Sequence, residues 1–308
     1  MKKLAMLARI AALAIVALAL PACHHGWWDN GNVAFYIDPV FGDDFRNDAT
    51  PLFPFKTITR ALHFCIPGDE IILATGTYSA SSGEIFPILV KPGVLILGDP
   101  ASSGTTTAIV GAGNYTIQGG TQMGQVVAAA LVLGGGAQIS GVTVTAGGAT
   151  GVGVVCDGNS PLITSSTLSG CGALGLGVYR TASPTVLSTT VASNGAGGVR
   201  TFDTSSPVFR SCAITTNTGD GIRAEDTSAP NLGDATAAGS NTLTGNTGVG
   251  LNNDTTASTI QAVGNTWIAS TQGADASGNY AVALTPGPVP AAGGNNFSIT
   301  LATAAIQF

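Results

Sequence analysis

Charge is what this sequence has least of. Only 9% of its 308 residues are Asp, Glu, Lys or Arg, and beyond Lys91 it contains neither lysine nor histidine. A formal charge of −6 and a pI near 4.8 leave no basic face, which argues against binding nucleic acid by phosphate neutralisation. Strong helix formers are sparse beside 43 glycines and a wealth of Ser, Thr and Asn, so a helical bundle is excluded. With 44% hydrophobic residues the chain is not disordered either. Val, Ile and Thr favour strands, and what remains is an all-β chain with many turns.

Long apolar runs are confined to the start. "MKK", Arg9 and "IAALAIVALAL" have the charged start and short hydrophobic stretch of an export signal, too short for a comfortable bilayer span. The run ends in "LPAC", which resembles the lipobox of bacterial lipoproteins, with Pro21 unusual in that motif. Residues 1–22 are expected to be a signal peptide, with Cys23 the lipidated first residue of the mature chain and 23–32, including "HHGWWDNGN", a tether. The protein is then an exported outer-membrane or cell-surface lipoprotein held to the membrane through Cys23. Ordinary cleavage and soluble secretion or periplasmic residence are the alternative. The other cysteines, Cys65, Cys156, Cys171 and Cys212, lack metal-ligand spacing such as C-x-x-C and read as small buried hydrophobes.

What the sequence does have is a period. Pro161, Pro184, Pro207 and Pro230 recur every 23 residues. Leu176, Val199 and Ile222 keep that spacing, as do Val186, Phe209 and Leu232, and a third column runs through Leu168, Val191 and Ile214. Three apolar columns per period mean three short strands, none able to bury a face alone. The expected fold is a right-handed, single-stranded parallel β-helix of about 23 residues per coil, its strands stacked ~4.8 Å apart. Asn194, Asn217 and Asn246 would form a hydrogen-bonded ladder at one turn, the last after a coil enlarged by "DATAAGS". Glycines preceding Leu176, Val199, Ile222 and Leu251 read as turn formers with positive φ. "GGAQISGVTV" is an earlier coil, and "GNTW" and "GNNFSI" are later, looser ones.

Three stretches near the start, "YIDPVFGDDFRNDATPLFPFKTITRAL", "PGDEIILATGTYS" and "EIFPILVKPGVLILGD", resemble the leading segment of secreted bacterial β-helix proteins in the pectate-lyase-like superfamily. They are most similar to that segment in a bacterial family of unknown function. The resemblance implies a strand, a Gly/Asp loop, a short helix over the open end of the β-helix, and then the first coils. "FKTITRALHFC" fits the helix, with Ile58, Leu62 and Cys65 on one face. Residues 33–100 are thus the cap and first coils and 101–308 the remaining coils, one continuous domain over 33–308. In the loop, Asp43, Asp44 and Asp48 read as an Asx-rich turn, because their spacing is not that of a calcium loop.

Chemistry should lie where charge breaks the neutral background. The cations after Lys91 are Arg180, Arg200, Arg210 and Arg223, in consecutive coils. Arg200 and Arg223 lie 23 apart beside inward Val199 and Ile222, so alternation turns both outward. Tyr179 and Phe202 form a second outward column continued by Glu225. Asp157, Arg180, Asp203 and Asp226 form a third, with Asp254 28 residues on. One reading is a surface charge network, Arg180 between Asp157 and Asp203, and Arg200 and Arg223 answered by Glu225 and Asp226. The other is a sugar-binding face of Tyr179, Arg180, Arg200, Phe202, Arg223 and Glu225, where a uronate or a bound Ca²⁺ relieves like charges stacked about 5 Å apart.

Two function classes follow. In the first, the protein binds or presents itself to extracellular polysaccharide without turnover and without a cofactor. In the second, which the resemblance implies, Ca²⁺ sits on Asp203, Asp226 and Asp254 while Arg200 or Arg223 abstracts the proton α to a uronate. Arginine is a difficult base for that step. Asp203 and Asp226 as a hydrolytic pair have only the ladder spacing in their favour. No residue indicates an oligomeric state.

Overall fold

The computed structural model describes residues 31–255 and 260–268, with the backbone of Ile306–Gln307. The chain winds as a right-handed parallel β-helix whose coils each contribute one strand to each of three parallel sheets. One coil runs Leu162–Thr164 in the first sheet, Thr167–Ser169 in the second and Leu174–Tyr179 in the third; the next begins at Thr185–Leu187. The apolar columns stack as the period requires. Leu176 pairs with Val199, Val199 with Ile222 and Ile222 with Leu251, while Val186 pairs with Phe209 and Leu168 with Val191 and then Ile214. All are fully buried, each worth roughly 1.5–3 kcal/mol of apolar transfer.

The corners rest on single left-handed residues. Ser165, Ser188, Ser211 and Ser240 turn the chain from the first sheet to the second, and Gly170, Ser193, Thr216 and Gly245 from the second to the third. Gly158, Arg180, Asp203 and Asp226 close the coil, all with φ between 46° and 73° across the three sets. The glycines before Leu176, Val199 and Ile222 therefore serve a different end from the one expected. Gly175, Gly198 and Gly221 keep ordinary φ, but a Cβ on any of them would lie within 3 Å of an Asn amide in the next coil. They make room for the ladder. There Asn194 Nδ2 donates to Asn217 Oδ1 (2.9 Å) and Asn217 Nδ2 to Asn246 Oδ1 (2.9 Å), and each backbone N–H reaches the same oxygen. A second ladder, from Cys212 through Asn241 to Asn265, runs along the other corner. Cys171 and Cys212 each head a ladder as buried free thiols, pushed up to about 11 by burial, and Cys65 and Cys156 are likewise free and buried.

The open N-terminal end is closed as the cap requires. Helix α1 (Ile58–Phe64) buries Ile58, Ala61 and Leu62, with Cys65 buried at its end. Thr57 caps its first turn, and the buried Glu84 carboxylate accepts the Ile58 (2.6 Å) and Thr59 (3.0 Å) amides. Residues 49–55 run beside Ala34–Ile37 on its outer edge, with Tyr36 N–H on the Ala49 carbonyl and Phe55 N–H on that of Tyr36, so the edge strand is not left open. Asp43 accepts the Phe45 amide in an Asx turn, as expected, whereas Asp44 accepts the Lys56 and Thr57 amides and ties the loop to the start of the helix. The coil read at "GNTW" is present as Thr266–Ile268, whereas "GNNFSI", the export signal and Cys23 lie outside the described residues.

Candidate functional site: the outer face of the third sheet

Alternation along Leu174–Tyr179, Gly197–Thr201, Ile222–Asp226 and Leu251–Thr255 sends every second side chain outward. One outward row runs Gly177, Arg200, Arg223, Asn252 in register, beyond the outward-packed Leu174 that starts its strand. The next row holds Tyr179 and Phe202, followed by Glu225 and Asp254, which pair directly. The left-handed corner comes after it.

The face is not uniformly open. Gly113–Thr116 pairs antiparallel with the start of Val126–Leu133, and the hairpin they form carries its tip, residues 117–125, along the axis. Tyr115 Oη (2.9 Å) and Gln118 N–H (2.9 Å) donate to Asp157. Thr121 N–H donates to Asp203 (2.6 Å), and Thr121 Oγ1 to Asp226 (2.8 Å). Gly120, at φ +73°, lies so close to the Asp203 carboxylate that a Cβ there would overlap it. Beneath the hairpin, Ile117 packs with Val127, Val152, Val155 and Leu174 around Tyr179 and Phe202, whose rings stack at 5.0 Å and 9°.

This corrects the reading of Tyr179 and Phe202 as a sugar-stacking platform. They do project from the outer side of the sheet, but they are only 2% and 4% exposed because the hairpin covers them. Burial also pushes the Tyr179 phenol far up and that of Tyr115 to about 12. The hairpin's apolar contacts, Tyr115 and Ile117, lie more than sixty residues before the pair they cover, so the repeat itself gives no sign of them.

Two members of the expected acidic column also move. The coil from Asp157 to Tyr179 is one residue shorter than the period, so Asp157 registers with Tyr179 and Gly158 takes the corner. Arg180 nonetheless reaches back, its Nε on Asp157 Oδ1 and Nη2 on the Asp157 carbonyl, while its N–H donates to Asp203 (2.9 Å). The enlarged coil shifts the next register, placing Asp254 beside Glu225 and Thr255 beside Asp226. Asp254 pairs with Arg223.

Those contacts decide how the carboxylates suit a cation. Asp203 spends one oxygen on Thr121 and the other on Arg180, Asp226 accepts from the Asp203 amide (2.9 Å) and Thr121, and Asp254 faces a guanidinium. Asp203, Asp226 and Asp254 do not converge, and no group of three metal-binding side chains does so among the described residues. The donor set does not fit a resident Ca²⁺.

Beyond the hairpin the face is open. Arg200 and Arg223, 38% and 37% exposed, share Glu225: their Nε atoms lie 3.4 and 3.0 Å from its Oε1, in ion-pair contact without hydrogen-bond alignment. Arg223 also holds Asp254, so Glu225 and Asp254 answer it rather than Asp226. The Arg200 side chain makes no hydrogen bond to a protein group among the described residues. Asn252 extends the row: its Nδ2 donates to Asp220 (2.9 Å), and its buried Oδ1 has no partner among the described residues. The row thus offers planar cationic donors, the groups that recognise carboxylates. Of the arginines, Arg210 sits apart on the first sheet, bound to Asn231 and Asp234.

A family model described as "Protein of unknown function (DUF1565)" matches residues 40–273. Among solved structures, pectate lyase Pel9A is similar, with a TM-score of 0.53 at 15% identity over 89% of this chain and 78% of that one. A GH136 lacto-N-biosidase from Eubacterium ramulus matches at a TM-score of 0.33 and 10% identity over 77% and 63% of the two chains. No curated protein matches the sequence. The likeness to Pel9A is one of fold.

Proposed function

This chain belongs to the DUF1565 family, and from that premise we propose that it is an exported β-helix that binds acidic extracellular polysaccharide, or presents itself to it, without turning it over. In this reading a lipid on Cys23 holds it at the membrane. The observation that carries the proposal is the row of Arg200 and Arg223, two guanidinium groups stacked in register, sharing one carboxylate and left uncovered where the hairpin ends. Like charges in adjacent strands repel, and although Glu225 and Asp254 together match the two guanidinium charges, Arg200 meets only the shared Glu225, at 3.4 Å, so its exposed guanidinium is the group a uronate carboxylate would pair with. With no net positive charge in the row, the affinity expected per sugar is modest. A repeating polymer spanning several coils would add contacts along the axis. The fold lends support by analogy alone, since one similar solved structure is a pectate lyase.

The lyase alternative needs a calcium site and an arginine free to act as base. The aspartates expected to hold the ion are committed to Thr121, Arg180 and Arg223, which favours binding over turnover. A panel of acidic and neutral polysaccharides, with and without Ca²⁺, tests both classes when retention and new reducing or unsaturated ends are read together. Retention of acidic polymers without product supports the binder, Ca²⁺-dependent unsaturated ends would establish the lyase, and no retention on any polymer would remove both.

A further inference from the structure

The cap exposes what the rest of the protein hides. Loops 38–46 and 50–56 are tied together by Asp43 N–H on the Pro54 carbonyl and by Asp44 on the Lys56 and Thr57 amides. From this joined surface Val40, Phe41, Phe45, Leu52 and Phe53 all project into solvent, Phe45 at 97% exposure. Isolated exposed apolar residues need no explanation, but five on two cross-tied loops form a patch that does. Cations border it. The Arg46 guanidinium lies 4.6 Å over the Phe53 ring, and Arg60, bound to the Arg46 carbonyl at 3.2 Å, lies 4.6 Å over Phe64, itself partly exposed. Arginine over aromatic rings at the rim of an apolar patch is the arrangement that places rings among acyl chains and guanidinium groups among lipid headgroups.

The chain's course names the occupant. The patch lies beyond Ala34–Ile37, at the closed end of the β-helix, and Val33, whose amide is held by Asp69, belongs to that same first coil. Cys23 to Asn32 are ten residues, a tether of about 35 Å at full extension. A lipid on Cys23 therefore keeps the cap, not the far coils, within reach of the bilayer.

We propose that the Phe41, Phe45, Leu52 and Phe53 patch is a membrane-docking surface that seats the cap on a lipid bilayer and directs the β-helix, with its arginine row, away from it. This rests on the proposed anchoring at Cys23 and not on the glycan reading. The test uses the mature chain from residue 23 carrying Cys23→Ser, without the apolar residues 1–22, so that neither a lipid nor the export signal contributes, and vesicles of phosphatidylethanolamine and phosphatidylglycerol. We expect it to sediment with the vesicles, and Phe45→Ser with Phe53→Ser to weaken this about tenfold or more, since two apolar contacts with lipid are lost. Both side chains are exposed, so the variant should keep its melting temperature. Arg200→Ala with Arg223→Ala should leave sedimentation unchanged, and mass spectrometry of the native mature N-terminus separately tests the anchor. Equal sedimentation with and without the phenylalanines, or none for the Cys23→Ser chain, would overturn the proposal. So would concentration-dependent self-association abolished by the same substitutions without vesicle binding, which would make a second copy the occupant.

Discussion

Two of the polar ladders along this β-helix solve the same problem in different ways. The Asn194, Asn217, Asn246 ladder is buried, and each amide is both donor and acceptor, so identical residues stack on one another without outside help. The corner ladder of Arg180, Asp203 and Asp226 is charged, and a carboxylate cannot donate to a carboxylate. It completes itself with backbone amides and with a hairpin brought from residues 113–125. A self-complementary column is closed architecture. A column that is not self-complementary recruits other groups, and where the hairpin stops, the arginine row is left to recruit from solvent.

Substitutions should separate scaffold from surface along that line. The largest effect is expected from Ile222→Asp, which buries an unpaired charge in the inner column and should cost more than about 4 kcal/mol or prevent folding. Wild-type melting of that variant would refute the stacking. Phe202→Ala should cost about 3 kcal/mol in denaturant unfolding, because the ring is core beneath the hairpin and not a sugar platform. Asn217→Ala should cost about 2–3 kcal/mol, since the Asn194 backbone and side-chain donors both lose their acceptor. Asp203→Ala removes the acceptor of the Thr121 and Arg180 amides at a partly solvated site and should cost about 1 kcal/mol. Limited proteolysis within 117–125 should rise with it. Unchanged cleavage there would mean that Asp203 does not hold the hairpin.

The period made the fold legible, because inward columns repeat at one spacing wherever coils are equal in length. It failed where coils are not equal. One residue fewer between Asp157 and Tyr179, and the enlarged corner before Asp254, moved both aspartates out of the column that counting gave them. The direction of a side chain relative to the sheet was also legible, whereas its exposure was not. Tyr179 and Phe202 point outward and are buried, since exposure depends on a hairpin distant in sequence. The Tyr115 and Ile117 alternation and the glycines at 119, 120 and 124, interrupting the coils, were the available sign. The pairing of Arg200 and Arg223 with Glu225 followed directly from register.

The most direct test of the arginine row is affinity electrophoresis of the wild type and the Arg200→Ala, Arg223→Ala double variant through gels containing polygalacturonate. Both side chains are exposed and carry no core packing, so the variant should unfold within about 0.5 kcal/mol of the wild type. The account predicts retardation of the wild type that fades with added salt, and none for the variant. Equal retardation of the two proteins, or a wild type that runs unretarded at low salt, would contradict it and leave the charged rows as scaffold.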